Sequence, residues 1–259
     1  MKRSFLSDAL SPLSTLNASY QRFRRKRSSQ NQWHPDPPII SIGNISSGGS
    51  GKTPFCIFLA ELLDNEGLKI GISHRGYKGS FENTPTMISE GRGTVYGPLE
   101  AGDEAFLLAR RLPGIPVVVG KKRVAAVSLL LAVFPDTKIV ILDDAFQHLQ
   151  IARDLDIVCF DSSTGIGNGR LIPAGYLREP LDAISEETVV IINHKDAAAA
   201  DDSLENLLSK RTEHIFHCHY KTEGLFDPQG NCLDASELSD KRIILISGIA
   251  DPSSFEGTL

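Results

Sequence analysis

The stretch SIGNISSGGSGKTPF, residues 41–55, constrains the fold more than any other part of the chain. An apolar run, PIISI (38–42), leads into it, and a helical pattern, TPFCIFLAELLDNEG (53–67), follows it. Strand, glycine-rich turn and helix in that order are the setting in which a G-x-x-x-x-G-K-[ST] loop holds phosphate. Gly48, Gly49 and Gly51 let backbone N–H groups approach phosphate oxygens, Lys52 reaches the β and γ phosphates, and Thr53 offers its hydroxyl to Mg²⁺. The pattern asks for glycine at position 46, where this chain has Ser46; with Ser47 and Ser50 it completes a candidate nucleotide-binding run, 46–53.

Downstream, short β-branched runs alternate with helical patterns, as a parallel βαβ architecture requires. The expected strands are 38–42, 68–73, 115–120, 137–142, 155–160, 188–193 and 241–247, and the expected helices are 53–67, 102–114 and 122–135. Most of these strands are apolar on both faces, which suits a sheet covered by helices on two sides. The expected fold is therefore α/β, a mostly parallel sheet of P-loop NTPase type flanked by helices. Three regions are expected: 1–36 as an amphipathic helix and linker, 37–196 as the core, and 197–259 as a smaller C-terminal lobe, in which DPQG (227–230) signals a turn or hairpin.

A magnesium-dependent phosphate loop needs an acid at the end of a neighbouring strand, and KIVILDD (138–144) supplies Asp143 and Asp144 there. Gly102-Asp103-Glu104 opens another helix. If that helix points at the phosphates, Asp103 accepts a substrate hydroxyl proton and Glu104 supports the metal; otherwise both simply complement the helix dipole. Two glycine- and proline-punctuated loops, HRGYKG (74–79) and NGRLIPAGYLREP (168–180), offer His74, Arg75, Asn168, Arg170 and Arg178 as contacts for an anionic acceptor or the transferring phosphate. HIFHCHY (214–220) imitates a metal cluster, but on a strand Cys218 faces away from His217 and His219, so these histidines read as structural or solvated. NHKD (193–196) is similar to a guanine-reading motif with its lysine displaced by one, and does not specify GTP.

Charge is unevenly spread: residues 1–36 carry a net +5 within a chain of net −5. Phe5, Ala9, Leu13, Leu16, Tyr20 and Phe23 form one helical stripe, for which Ser11-Pro12 suits a start and RFRRKR (22–27) an end. An apolar stripe beside cations suits an interfacial helix on an anionic membrane surface; the alternative is a helix packed on its own domain. Nucleic acid is a poor partner, because the acidic remainder repels a phosphate backbone. No 18-residue apolar run and no secretory signal are visible, and four scattered cysteines without a C-x-x-C pair suit the reducing cytoplasm.

GNISSGGSGKTP, SHRGYKG, AGDEAFLLAR, LDDAFQH, RDLDIVCFD and NGRLIPAGYLREP, in this order, resemble the tetraacyldisaccharide 4'-kinase family of lipid A biosynthesis, from about residue 10 onward. That family's loop normally has Ser or Thr where this chain has Ser46. The resemblance implies a membrane-associated kinase at the cytoplasmic face of a bacterial inner membrane. It would transfer the γ-phosphate of ATP, with Mg²⁺, to the 4'-hydroxyl of a tetraacyldisaccharide 1-phosphate, and it is expected to act as a monomer. It implies Asp103 as base, Lys52 and Thr53 on the nucleotide, Glu104 with Asp143 and Asp144 serving Mg²⁺ and the loop, and Gln147 and His148 at family positions near the substrate. The family usually continues past the segment matching SGIADPSSFEGTL into an Asp-His-His stretch, so a sequence ending at Leu259 is expected to be incomplete relative to it. The competing class is a membrane-associated nucleotide-switch or metal-insertion ATPase or GTPase. Such membrane-positioning ATPases usually carry a lysine just before the two glycines, where Ser47 stands.

Overall fold

A computed structural model describes residues 5–194, 202–221, 224–227, 229, 231–238 and 242–246. Its centre is an eight-stranded sheet in the order β3-β4-β2-β5-β1-β6-β7-β8. The strands are β1 (Ile39–Gly43), β2 (Ile70–His74), β3 (Thr86–Glu90), β4 (Pro116–Val119), β5 (Ile139–Leu142), β6 (Leu155–Asp161), β7 (Val189–His194) and β8 (Ile215–His219). All pair in parallel except β3, which lies antiparallel to β4 at one edge. The helices are α1 (Phe5–Ala9), α2 (Ser11–Ser28), α3 (Lys52–Asn65), α4 (Pro98–Ala101), α5 (Asp103–Arg111), α6 (Arg123–Val133) and α7 (Asp202–Leu208).

Period-two alternation explains the two-sided cover. On β4, Val117 and Val119 join the core formed under α3 and α5, while Val118 turns to the opposite core under α6. A third cluster, around Val158, Phe160, Val190 and Ile192, is closed by Leu171, Leu177 and Ile184 from the connection after β6 and by Leu204 and Leu208 of α7. The expected strands appear at six of seven places. The exception is 241–247: across its described residues, 242–246, the backbone joins no sheet and Ile244 and Ile246 are 85% and 88% exposed. A β-branched run forms a strand only where an edge receives it, and no described edge does so here. On either side of DPQG, of which residues 228 and 230 lie outside the described residues, β9 (Leu225–Phe226) and β10 (Cys232–Leu233) pair antiparallel. β8 lies in the stretch read as a separate lobe, yet it extends the main sheet beyond β7.

The N-terminal helix differs from expectation at its start and at its end. Its cap position is Leu10, not Ser11, and makes no side-chain capping bond, although a proline does occupy the first turn. The basic run lies inside the helix, which continues to Ser28. The apolar stripe faces away from the domain, unlike the alternative of a helix packed on its own domain through that stripe: Phe5 is 91% exposed, Leu16 67% and Phe23 60%, with Leu13 and Tyr20 also exposed. A small, polar face packs inward instead. Ser7 and Ser14 are buried, and Asn17 Nδ2 donates to the Ile172 carbonyl at 2.8 Å. No described helix is long and apolar enough to cross a membrane.

Candidate active site

β1 runs through the middle of the sheet between β5 and β6, and the chain crosses from one side of it to the other, so the C-terminal ends of these strands form the crevice where open α/β sheets take ligands. The phosphate-type loop leaves β1 at that edge. Its left-handed residues are Gly48 (φ 113°) and Gly51 (φ 75°), whereas Ser46 has ordinary backbone and pairs in an isolated bridge with Leu177. Serine is tolerated at 46 because that position is extended and paired. The Ser47 N–H donates to the Tyr176 carbonyl at 2.8 Å, and the Arg178 N–H to the Ile45 carbonyl at 2.7 Å, so the 168–180 loop lines one flank of the phosphate loop.

The opposite flank is the end of β7. Asn193 Nδ2 donates to the Ser50 carbonyl at 2.7 Å in a buried bond. A Cβ at Gly51 would meet Tyr220 Oη at 2.6 Å and Asn193 Nδ2 at 2.8 Å, so Gly51 is required both for its backbone and for this close approach. Asn193 therefore braces the loop, which accounts for the asparagine of NHKD without any base reading; Lys195 and Asp196 lie outside the described residues.

β5 delivers the two acids. Asp143 is fully buried, accepts the Thr53 hydroxyl at 3.2 Å, and has its carbonyl held by Arg123 Nη2. Burial pushes the Asp143 carboxyl above its ordinary range, while His74 pulls the other way. Asp144 has φ 48°, unusual without a glycine, and its N–H donates to Asp143 Oδ1 at 2.9 Å. That twist aims it at Lys52, whose Nζ lies 3.5 Å from Asp144 Oδ1. Burial opposes ionisation of Asp144, but the cations Lys52 and Arg178, with His74 and Arg123, outweigh it and hold the carboxyl below its ordinary range. Asp144 Oδ1 is buried and has no hydrogen-bond donor. A buried, ionised oxygen beside a threonine hydroxyl and a second carboxylate is a hard-oxygen donor set of the kind Mg²⁺ takes. Arg123, missed in sequence because a cation opening a helix runs against the dipole, is fully buried; burial lowers it to about 10 while Asp143 and Asp144 draw it up.

α5 enters the site through a tight turn. Gly102 has φ 85°, and a Cβ there would lie 2.7 Å from the Tyr77 carbonyl oxygen, so this turn touches the 74–79 loop backbone to backbone. Across the contact, His74 Nδ1 accepts the Gly76 N–H at 3.0 Å, which leaves Nε2 to donate to Glu104 Oε2 at 3.0 Å. That bond holds the Glu104 carboxyl below its ordinary range against the opposing effect of burial. Asp103 is exposed, makes no side-chain hydrogen bond or ion pair among the described residues, and lines an open cleft of about 380 Å³ with Pro98, Phe106, Leu107, Arg110 and Arg111.

The remaining candidates divide. Arg178 is half-buried, close enough to influence Asp144, and its guanidinium makes no hydrogen bond among the described residues. Gln147 Nε2 donates to the Asn44 carbonyl at 2.7 Å, and burial lowers His148 to about 4 with Arg123, Arg153 and Arg24 adding to the effect. Arg75 is engaged with Glu82 at 2.8 Å and lies over Tyr77. Asn168 and Arg170 are not gathered at the phosphate loop. Asn168 Nδ2 donates to Ser7 Oγ at 3.0 Å, while Arg170 Nη1 donates to the Ser7 carbonyl at 2.8 Å and pairs with Asp8 at 2.7 Å, so both fasten α1 to the loop. His217 and His219 stack against His194, and among the described residues these histidines belong to no group of three or more His, Cys, Asp or Glu that could hold a metal.

Residues 6–259 match the model of the family described as tetraacyldisaccharide-1-P 4'-kinase. Curated relatives of that name include one from Desulfatibacillum aliphaticivorans, 38% identical over 84% of this chain and 60% of its own length, and one from Desulfotalea psychrophila, 35% identical over 96% and 72%. The chain thus spans roughly three fifths to three quarters of such relatives. The solved structure of LpxK from Aquifex aeolicus in complex with ATP superposes with a TM-score of 0.79 at 29% identity, covering 98% of this chain and 78% of that one. With a family model matching nearly its whole length, and a 35%-identical relative covered over 72% of its own length, the chain belongs to the tetraacyldisaccharide-1-P 4'-kinase family.

Proposed function

We propose that the protein transfers the γ-phosphate of ATP to the 4'-hydroxyl of a tetraacyldisaccharide 1-phosphate at the cytoplasmic face of a bacterial inner membrane. The observation that carries this reading is one crevice in which a glycine loop, Lys52, Thr53, the Asp143–Asp144 pair and the His74–Glu104 pair meet. Backbone N–H groups of 46–53 and Lys52 hold the triphosphate. Asp144, Thr53 and Asp143, with Glu104 nearby, would hold Mg²⁺, which when bound supplies charge neutralisation to the transferring phosphoryl group. Asp103 accepts the acceptor's hydroxyl proton; a carboxylate suffices, because a loose transition state asks for positioning more than basicity. Arg178 steadies the phosphoryl oxygens, Gln147, His148, His74 and Arg75 border the acceptor, and Asn168 and Arg170 serve it indirectly by fixing α1.

The exposed stripe of α1 and α2 rests on the bilayer that holds the lipid acceptor, making the protein peripheral, and we expect a monomer. In this reading 1–36 forms the membrane-associating part and 37–196 the core, and 197–259 is a smaller C-terminal part whose α7 and β8 pack onto that core. Incubation with Mg-ATP and the acceptor in detergent micelles tests it by mass spectrometry of the lipid. A gain of one phosphate at the 4' position supports the kinase. Acceptor-independent ATP hydrolysis without lipid product points instead to a nucleotide switch.

A further inference from the structure

Two arginines of the basic run on α2 point inward, toward the domain. Arg25 Nη2 donates to the Phe146 carbonyl at 3.2 Å, its Nε is ion-paired with the buried Glu179, and its guanidinium lies 4.3 Å over the Phe146 ring. Arg24 Nη2 donates to the Gln147 carbonyl. Residues just after α2 continue the line: Gln32 Nε2 donates to the Leu149 carbonyl at 3.1 Å, and the Trp33 N–H to the Gln150 carbonyl at 2.9 Å. A cationic helix and its exit thus cap four carbonyls within 146–150, the segment that emerges from the strained Asp144.

Arg25 also connects two segments that otherwise reach the site separately. Phe146 stands two residues beyond Asp144, and Glu179 stands next to Arg178, whose own N–H is anchored beside the phosphate loop at Ile45. A planar fork is suited to such a bridge, since one arm takes the carboxylate and another the carbonyl. We infer that Arg25 is a positioning residue of the phosphotransfer site, seated on the N-terminal helix, which sets the separation of Asp144 and Arg178 across the phosphates; Arg24 assists by fixing Gln147. The inference rests on the kinase reading for the chemistry it serves, and on geometry alone for the placement of Asp144. The helix whose other face carries the exposed apolar stripe is thereby wired to the acid that would hold Mg²⁺.

The test uses the whole protein and two readouts: ATP affinity with Mg²⁺ against ATP affinity in EDTA, and sedimentation with phosphatidylglycerol–phosphatidylcholine vesicles. Outer partners of metal-holding groups typically matter by about 10- to 100-fold, so Arg25→Gln should shrink the Mg²⁺-dependent tightening of ATP about tenfold and reduce lipid phosphorylation at least as much. Vesicle binding should stay within about twofold of the parent, whereas Lys26→Gln with Arg27→Gln should weaken vesicle binding and leave the Mg²⁺ effect intact. Wild-type Mg²⁺ dependence in Arg25→Gln, or a loss confined to vesicle binding, overturns the inference. Should Arg25→Gln fail to fold, Arg25→Lys keeps the charge but not the fork, and an unchanged Mg²⁺ effect in that variant overturns it equally. If the parent protein phosphorylates no disaccharide, the kinase reading fails, while the Mg²⁺ comparison still decides the role of Arg25.

Discussion

Replacing Gly51 by alanine separates two reasons for the glycine and gives each a magnitude. At φ 75° an alanine pays a left-handed penalty of about 1–2 kcal/mol. Its methyl also arrives 2.6 Å from Tyr220 Oη and 2.8 Å from Asn193 Nδ2. Tyr220 is 48% exposed and can swing outward at little cost. Asn193 is buried and committed to the Ser50 carbonyl, so moving it leaves that carbonyl unpaired at about 1–3 kcal/mol. The expected loss is about 2–5 kcal/mol, a large part of the roughly 5–15 kcal/mol typical of a folded domain. Urea unfolding measures it, with Asn193→Ala and the double variant completing a cycle. Because the single variants break the same bond, the double variant should be less destabilised than their sum by about 1 kcal/mol or more. Additivity within about 0.5 kcal/mol, or a Gly51→Ala protein of unchanged stability and ATP affinity, would refute the reasoning.

Other outcomes follow from single sites. The folded-state value of His148, about 4, lies below the ordinary 6.5, so the folded protein binds fewer protons than the unfolded chain between those pH values. Stability present above pH 6.5 is therefore lost as pH falls toward 4, by at most about 3 kcal/mol, and unfolding curves of His148→Gln across that window should show a shallower slope. On the exposed stripe, Leu16→Ser with Phe23→Ser should lower binding to anionic vesicles roughly tenfold or more while leaving the urea midpoint nearly unchanged, since neither side chain is buried in the domain. Removing Glu179 as Glu179→Ala leaves Arg25 without its carboxylate in a half-buried position and should cost about 3 kcal/mol or more in unfolding free energy, read by the same urea titration.

Much of the fold was legible because the periodicities were strong: six apolar runs became parallel strands and three helical patterns became α3, α5 and α6, with ends shifted by a few residues. β3 was missed because TMISE is a five-residue edge strand whose partner, β4, comes almost thirty residues later. The run at 241–247 misled because propensity says what suits a sheet and not whether an edge is open. In the site, residues adjacent to glycine signals were easy to name. Those that act by reaching across the fold were not: Arg123, Asn193, Arg25 and Glu179 meet their partners over 20 to 154 positions. The N-terminal arginines illustrate the limit most clearly, since composition reported a basic patch but only packing distinguished Arg24 and Arg25, turned inward, from Lys26 and Arg27.

In the proposed reaction this crevice moves a phosphoryl group onto a hydroxyl, with Asp103 receiving the proton and the glycine loop holding the nucleotide. Measuring ATP affinity and single-turnover lipid phosphorylation for Asp103→Asn addresses it directly. A positioned base contributes typically 10²- to 10⁴-fold, so transfer should fall by that factor while ATP affinity stays within about twofold. Transfer at the parent rate, or a loss of ATP affinity equal to the loss of rate, would contradict the assignment.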